Sequence, residues 1–200
     1  MRALPEVTGL GWSKVRAVAE QLASSEPAEE LAVAALALLA APEVPRRMLA
    51  VYLLGFTSGR RPDNLAVLRQ RVAPDASWEV QEALSQAFDA YCAAVGYEAA
   101  LPEIDAWLGD AHPNARRAVS EGLRPWTAKR RTLFARQPEE AIRRLGSLRA
   151  DPSEYVRHSA GNALRDARRA YPELVDAETG TWDLADARVA FTHMRVLGPR

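Results

Sequence analysis

The sequence predicts an all-α protein, on three observations. Apolar residues recur at helical spacing along nearly the whole chain, and no stretch alternates as a strand would. Short connectors rich in Pro, Gly, Asp and Ser interrupt that spacing at regular intervals. One fifteen-residue pattern returns without a gap in three places. In chain order the amphipathic segments cover 12–24, 27–40, 44–56, 64–72, 78–95, 101–108, 114–124, 138–149, 153–170 and 182–194. Between them, "SSEP", "TSGRRPD", "APDAS", "GDAHP" and "RADPS" carry the residues that end one helix and cap the next.

The recurring pattern sets the architecture. "DASWEVQEALSQAFD" from Asp75, "DAHPNARRAVSEGLR" from Asp110 and "DPSEYVRHSAGNALR" from Asp151 superpose, and a weaker copy, "EVPRRMLAVYLLGFT", begins at Glu43, giving offsets of 32, 35 and 41 residues. The sixth, ninth, tenth, thirteenth and fourteenth places are small or apolar: Val80, Ala83, Leu84, Ala87 and Phe88 in the first copy, Ala115, Ala118, Val119, Gly122 and Leu123 in the next. In the last they are Val156, Ser159, Ala160, Ala163 and Leu164. A helix pair recurring at this period is the mark of HEAT-like repeats, in which each pair buries its apolar face on its neighbours. The expected fold is therefore a single domain over residues 1–200. It is a right-handed superhelical solenoid of antiparallel helix pairs whose second helices line a concave basic groove.

Composition narrows the function classes. The 200 residues carry 26 basic and 26 acidic side chains, and 48% of them are hydrophobic, which suits a folded core and not a disordered chain. Cys92 is the only cysteine, so neither a disulfide nor a multi-cysteine metal site is available, and its apolar helical context reads as a buried thiol in a reducing cytosol. No signal peptide or membrane-spanning run is present, and a cytoplasmic monomer is expected. The zero net charge is uneven. Residues 1–100 carry 9 basic and 12 acidic groups, residues 101–170 carry 14 and 9, and residues 171–200 carry 3 and 5.

The stretch "NARRAVSEGLRPW" concentrates that basic excess on one helix face. In the aligned copies the fourth, seventh, eighth, eleventh, twelfth and fifteenth places are polar. They bring Trp78, Gln81, Glu82, Ser85, Gln86 and Asp89 beside Arg116, Arg117, Ser120, Glu121 and Arg124, and beside Glu154, Arg157, His158, Asn162 and Arg165. An arginine-lined groove fits either a nucleic-acid backbone or an acidic protein partner. Trp78 stands at a first turn on the polar side, where an indole either stacks on a base or sugar or closes the core between repeats. Glu82 lies one turn further on the same face. An aromatic plane and a carboxylate in a basic groove suit cleavage of the N-glycosidic bond of an alkylated, cationic base. That reaction needs charge stabilisation and a placed water, not protonation of the leaving group. No cofactor is expected, and no metal, since His112, His158 and His193 lack ligand spacing.

"DASWEVQEALSQAFD", "HPNARRAVSEGLRPW" and "DPSEYVRHSAGNALRDARRAYPELV" resemble the HEAT-like-repeat DNA alkylation-repair glycosylases, most closely the AlkC type and more distantly the AlkD type, over about residues 40–185. The most specific part is S-E-G-x-R-P followed by D-P-S-E-Y-V-R. The resemblance implies duplex DNA containing alkylated bases as the partner and excision of bases such as 3-methyladenine as the activity. It also implies Trp78 as the aromatic beside the lesion, Glu82 as the catalytic carboxylate and Asp166 as a second acid. Arg117 matches a DNA-contacting arginine, and Arg116, Arg124, Trp126, Arg157, Asn162 and Arg165 complete the expected DNA-binding set. The chain departs from the AlkC pattern in reading "RPW" for R-P-R-L-P-W and "GNALRD" for A-N-N-L-N-D. Glu121 reads equally as a structural partner of Arg117 or Arg124. A DNA-binding homologue without catalysis and a protein-interaction scaffold are the alternatives.

Overall fold

A computed structural model describes residues 4–124 and 136–198, all of it helices and connecting turns. The helices group into two compact units, Met1–Gly96 and Tyr97–Arg200. In the first, α1 (Trp12–Ser25), α3 (Val44–Thr57) and α5 (Trp78–Val95) form a row with α3 in the middle. A second layer consists of α2 (Ala28–Leu38) and α4 (Asp63–Val67), the latter running on into a π-helical turn, Leu68–Val72. Because α3 is covered from several sides, Met48 through Gly55 are all buried, and Tyr52 with them. Its closest neighbour is α5: a methyl group on Gly55 would collide with Ala87, so glycine sets the separation of the two axes.

The second unit repeats the plan. The row is α7 (Pro113–Gly122), α9 (Glu154–Arg168) and α11 (Ala187–Leu197), with α9 in the middle. Packed behind it are α6 (Tyr97–Leu108), α8 (Pro138–Ser147, followed by a 3-10 turn, Leu148–Ala150) and α10 (Pro172–Gly180). Pro113, Pro138 and Pro172 open their helices, where a missing N–H costs nothing and the fixed φ helps. The apolar stripe predicted from the repeats is the core: Val80, Ala83, Leu84, Ala87, Phe88, Ala115, Ala118, Val119, Leu123, Val156, Ala160, Ala163 and Leu164 are all buried.

A polar device recurs at the head of the row helices. Asp75, Asp110 and Asp151 each turn their own Oδ1 to the backbone N–H two residues on, at Ser77, His112 and Ser153, closing an Asx turn before the helix. Six residues after each aspartate, a long polar side chain reaches back to the same turn. Gln81 donates to Asp75 O, Arg116 to Asp110 O and Ala111 O, and Arg157 to Asp151 O and Pro152 O. One of these arginines also reaches forward to the next aspartate in the row. Arg116 Nε and Nη2 donate to the two oxygens of Asp151 at 2.6 and 2.8 Å. Arg47 in α3 does the same: its Nη1 donates to Ala41 O and Pro42 O, and its Nε and Nη2 hold Asp75. Since each clasp joins the heads of successive row helices, those helices run parallel.

Two sequence expectations change here. Arg47 occupies the seventh place of its copy, so the weaker repeat begins at Ala41 and not Glu43; the all-round burial of α3 left its apolar stripe unable to fix the register. The helix α10 was not expected, because only Val175 and Thr179 among its residues are buried. The last helix starts at Ala187 instead of 182. Trp182, which suggested the earlier start, is buried in the preceding turn with its Nε1 donating to Glu178. Among the described residues, no helix is long and apolar enough to cross a membrane.

Candidate nucleic-acid interface

The structure splits the predicted polar face in two. Seventh-place side chains turn back onto their own helix head, whereas twelfth- and fifteenth-place side chains such as Gln86, Glu121 and Arg124 pair with residues of other row helices in the same unit. Arg116 and Arg157, expected to contact DNA, belong to the first group. Arg116 is only 9% exposed, with all three of its nitrogens donating to Asp151 and the turn carbonyls. Moving it to a phosphate would strand the Asp151 carboxylate, which is buried with it; uncompensated buried charge is the costly case. The Asp151 hydrogen bonds hold the Arg116 guanidinium even more firmly in its charged form, outweighing the opposing effect of burial. Arg157 spends Nη1 on its own turn and lays its guanidinium over the Phe191 ring at 5.2 Å. Both side chains are engaged within the second unit.

In the first unit, Trp78 is the first residue of α5 and is 64% exposed, so it is not part of the core. Glu82, one turn further along the helix, is half-buried. Nearby, Arg16 of α1 donates to Glu20 Oε1 at 2.9 Å and to Gln86 Oε1 at 2.6 Å, and the Tyr52 hydroxyl donates to the same Gln86 oxygen at 3.3 Å. Burial pushes the Tyr52 phenol up to about 12, with Arg16 opposing the shift and Glu82 and Glu20 adding to it. Tyr52 is thus a neutral donor at physiological pH, and Glu82 is close enough for its charge to be felt there.

In the second unit, Arg117, Glu121, Arg124 and Asp166 form one buried network. Glu121 accepts from Ser159 Oγ at 2.7 Å and from Arg124 Nη1 at 2.9 Å, with Arg117 Nη2 at 3.7 Å. Arg124 Nε and Nη2 both donate to Asp166 Oδ2, at 3.0 and 2.6 Å. Burial works against the Arg124 charge, but Glu121 and Asp166 together more than offset it and raise its pKa. One guanidinium therefore bridges the two carboxylates, and the pairing expected of Glu121 is present. Asp166, expected as a second catalytic acid, is 5% exposed and tied to this bridge. Asn162 Nδ2 and His158 Nδ1 lie 3.0 Å apart, and Arg165 is half-buried on the same face. Trp126 lies outside the described residues.

Sequence reasoning missed Tyr155. Its ring is 45% exposed and carries the Arg117 guanidinium 4.4 Å from its centroid, a cation–π contact. The signal was the aromatic at the fifth place of the third copy, overlooked because that place is neither consistently apolar nor consistently charged. It also separated Ser120, on the polar face, from Ser159, in the apolar stripe; their hydroxyls meet at 2.6 Å inside the unit. Among the described residues, no group of three His, Cys, Asp or Glu side chains is placed to hold a metal ion.

Rows of parallel helices clasped head to head define a helical-repeat protein, with an exposed tryptophan heading one row helix and an arginine–carboxylate network on another. The family model described as DNA alkylation repair enzyme matches residues 1–177, and the chain belongs to that family. The crystal structure of AlkD2 from Streptococcus mutans is 38% identical, covering 93% of this chain and 88% of that one, with a TM-score of 0.87. A predicted DNA alkylation repair enzyme from Enterococcus faecalis, 18% identical over 92% of this chain and 85% of that one, superposes with a TM-score of 0.64. The Pseudomonas fluorescens alkylpurine DNA glycosylase AlkC, bound to DNA containing an abasic site analogue, is 22% identical over 98% of this chain and 64% of that one, with a TM-score of 0.54. Of these the chain is more similar to AlkD2 than to AlkC, which reverses the order suggested by the motifs. No curated protein matches the chain significantly.

Proposed function

We propose that the protein binds duplex DNA and excises N-alkylated, cationic bases from it as a DNA glycosylase. The observation that carries this reading is the exposure of Trp78 at the head of α5, whose Phe88 is buried in the core, with Glu82 one turn further on. Family membership supports it, and so does the shared fold with AlkC, a glycosylase solved on DNA. The indole would pack on the sugar or base beside the lesion, and the carboxylate would serve the chemistry. As the bond from C1′ to the base breaks, its electron pair neutralises the cationic base, which leaves as the free alkylated purine. The sugar becomes oxocarbenium-like, water adds to C1′, and Glu82 stabilises the positive charge and takes the proton. Asp166 is committed to Arg124, so the reading places the chemistry on Glu82.

The test is release of 3-methyladenine from methylated duplex DNA under single-turnover conditions, which separates chemistry from product release. Glu82→Gln retains shape and deletes charge, and should slow release by about a hundredfold or more while leaving DNA affinity near normal. Equal rates for parent and variant would remove Glu82 from the chemistry. The engagement of Asp166 favours a second reading, a lesion-binding homologue without catalysis. It is the one left standing if the parent binds methylated DNA and releases no base.

A further inference from the structure

We propose that α1, α3 and α5 build a binding site for a planar cation, its place taken in this structure by the guanidinium of Arg16. Each of the three row helices contributes two side chains one turn apart: Arg16 and Glu20 from α1, Tyr52 and Phe56 from α3, Glu82 and Gln86 from α5. The guanidinium carbon of Arg16 lies 5.6 Å from the centroid of the Phe56 ring, which is itself stacked on Tyr52 at 5.6 Å with 14° between the planes. Arg16 Nε donates to Glu20 Oε1 at 2.9 Å and its Nη1 to Gln86 Oε1 at 2.6 Å. The Tyr52 hydroxyl donates to the same Gln86 oxygen at 3.3 Å, and this second donor keeps the acceptor end of the amide turned toward the cation.

An aromatic face, a carboxylate and an amide oxygen thus converge on one flat cation that carries N–H donors at its edge, which is the chemistry that recognises such cations. The Arg16 and Glu20 side chains are 37% and 53% exposed, so the guanidinium can swing into water without stranding a buried charge, as Arg116 cannot. Of the charged groups that act on the Tyr52 hydroxyl, Arg16 is the cation and Glu82 and Glu20 are the anions. With Arg16 withdrawn, both carboxylates and the ring face remain. An N-alkylated purine repeats the chemistry of the guanidinium: a flat, positively charged ring with N–H donors at its edge. That occupant rests on the function proposed above. The base beside Glu82 would displace Arg16 and take its contacts with Phe56, Glu20 and Gln86.

Two probes test the site without DNA. The first is guanidinium chloride at millimolar concentration, followed by thermal melting. Measured against its effect on the parent, it should raise the melting temperature of Arg16→Ala by filling the place the side chain left, and the response should shrink severalfold in the Arg16→Ala, Glu20→Gln double variant. Equal responses in the parent and Arg16→Ala overturn the site. The second probe is 1-methyladenosine, a cation at neutral pH, with uncharged adenosine as its control, and binding is followed through the Gln86 side-chain amide resonances by NMR. Arg16→Ala should bind the methylated nucleoside about tenfold more tightly than the parent, which must first displace its own arginine. Adenosine should leave the resonances unmoved in both proteins. The parent is measured as well, so a variant that folds poorly does not remove the test. No shift in the parent at millimolar 1-methyladenosine, equal shifts with adenosine, or a response to guanidinium alone overturns the assignment to an alkylated base. A response to both cations in a protein that releases no base from methylated DNA supports the cation site while removing the function proposed above.

Discussion

Arg116 and Asp151 stand at the heads of neighbouring row helices and share two parallel hydrogen bonds of 2.6 and 2.8 Å, with the carboxylate also closing the turn at Ser153. One aspartate thus performs two tasks, ordering its own helix start and holding the arginine of the helix before it.

Separating those tasks gives a stability prediction. Asp151→Asn retains an oxygen for the Ser153 N–H but loses the charge facing Arg116; Asp151→Ala loses both. Breaking one side of a buried pair costs about 3–5 kcal/mol, so the alanine variant should fall in that range and the asparagine variant below it. Denaturant unfolding followed by circular dichroism decides. Equal loss in the two would mean that the Asx turn contributes nothing.

Packing gives a second prediction, in the other unit. Gly55→Ala pushes a methyl group into Ala87, and relieving the clash requires α3 and α5 to separate. Overpacking of this kind costs about 1–3 kcal/mol. Thermal melting of the variant measures it, and because the new methyl would also lie 2.5 Å from the Ala87 Cα, the double variant Gly55→Ala, Ala87→Gly should recover little of the loss.

Trp78 should behave in the opposite way. With 64% of its surface exposed, Trp78→Ala should leave stability within about 0.5 kcal/mol of the parent. Affinity for methylated duplex DNA should nevertheless fall by about 1–3 kcal/mol, the range for an aromatic stacked on a base. Fluorescence anisotropy with labelled duplex reads the second quantity; a large stability loss without an affinity loss would return Trp78 to a structural role.

The His158 shift has a pH signature. Its folded pKa is depressed below 6.5, chiefly by burial and then by Arg195 and Arg165. In the window between the folded value and 6.5 the unfolded chain binds more protons, so stability rises with pH through that window and levels off above it. Melting temperatures taken from about pH 5 to 7.5 should show this slope, and Arg195→Ala should flatten it by letting His158 protonate more easily in the folded state.

The core was legible because burial leaves a period in the sequence. Val80, Leu84, Val119, Val156 and Leu164 could be placed by spacing alone; spacing put Trp78 on the polar side but left it open between an exposed indole and one closing the core, which its 64% exposure decides. The two fates of the polar arginines were not legible. Arg116 and Arg117 are adjacent and chemically identical, yet the first turns back onto the Asp110 turn and meets a carboxylate thirty-five positions away, while the second lies on Tyr155. Helical spacing fixes the direction of a Cβ; where a long side chain ends depends on partners outside the helix. The recurrence of Asp six residues before Gln or Arg was visible in the aligned copies. It was divided between a connector and a groove, so its two halves were not read as one device.

The clasp also bears on how such a chain can change over time. Within each of the two units one arginine and one aspartate make the same joint, Arg47 with Asp75 and Arg116 with Asp151. Exchange of a helix between the two positions would meet a matching connection, whereas the repeat headed by Asp75 carries Gln81 at the arginine's place and would need a substitution to extend the row. The aromatic and acidic groups at the fourth, eighth and twelfth places lie outside the joint, free to diverge from one copy to the next while the arginine–aspartate joint is kept.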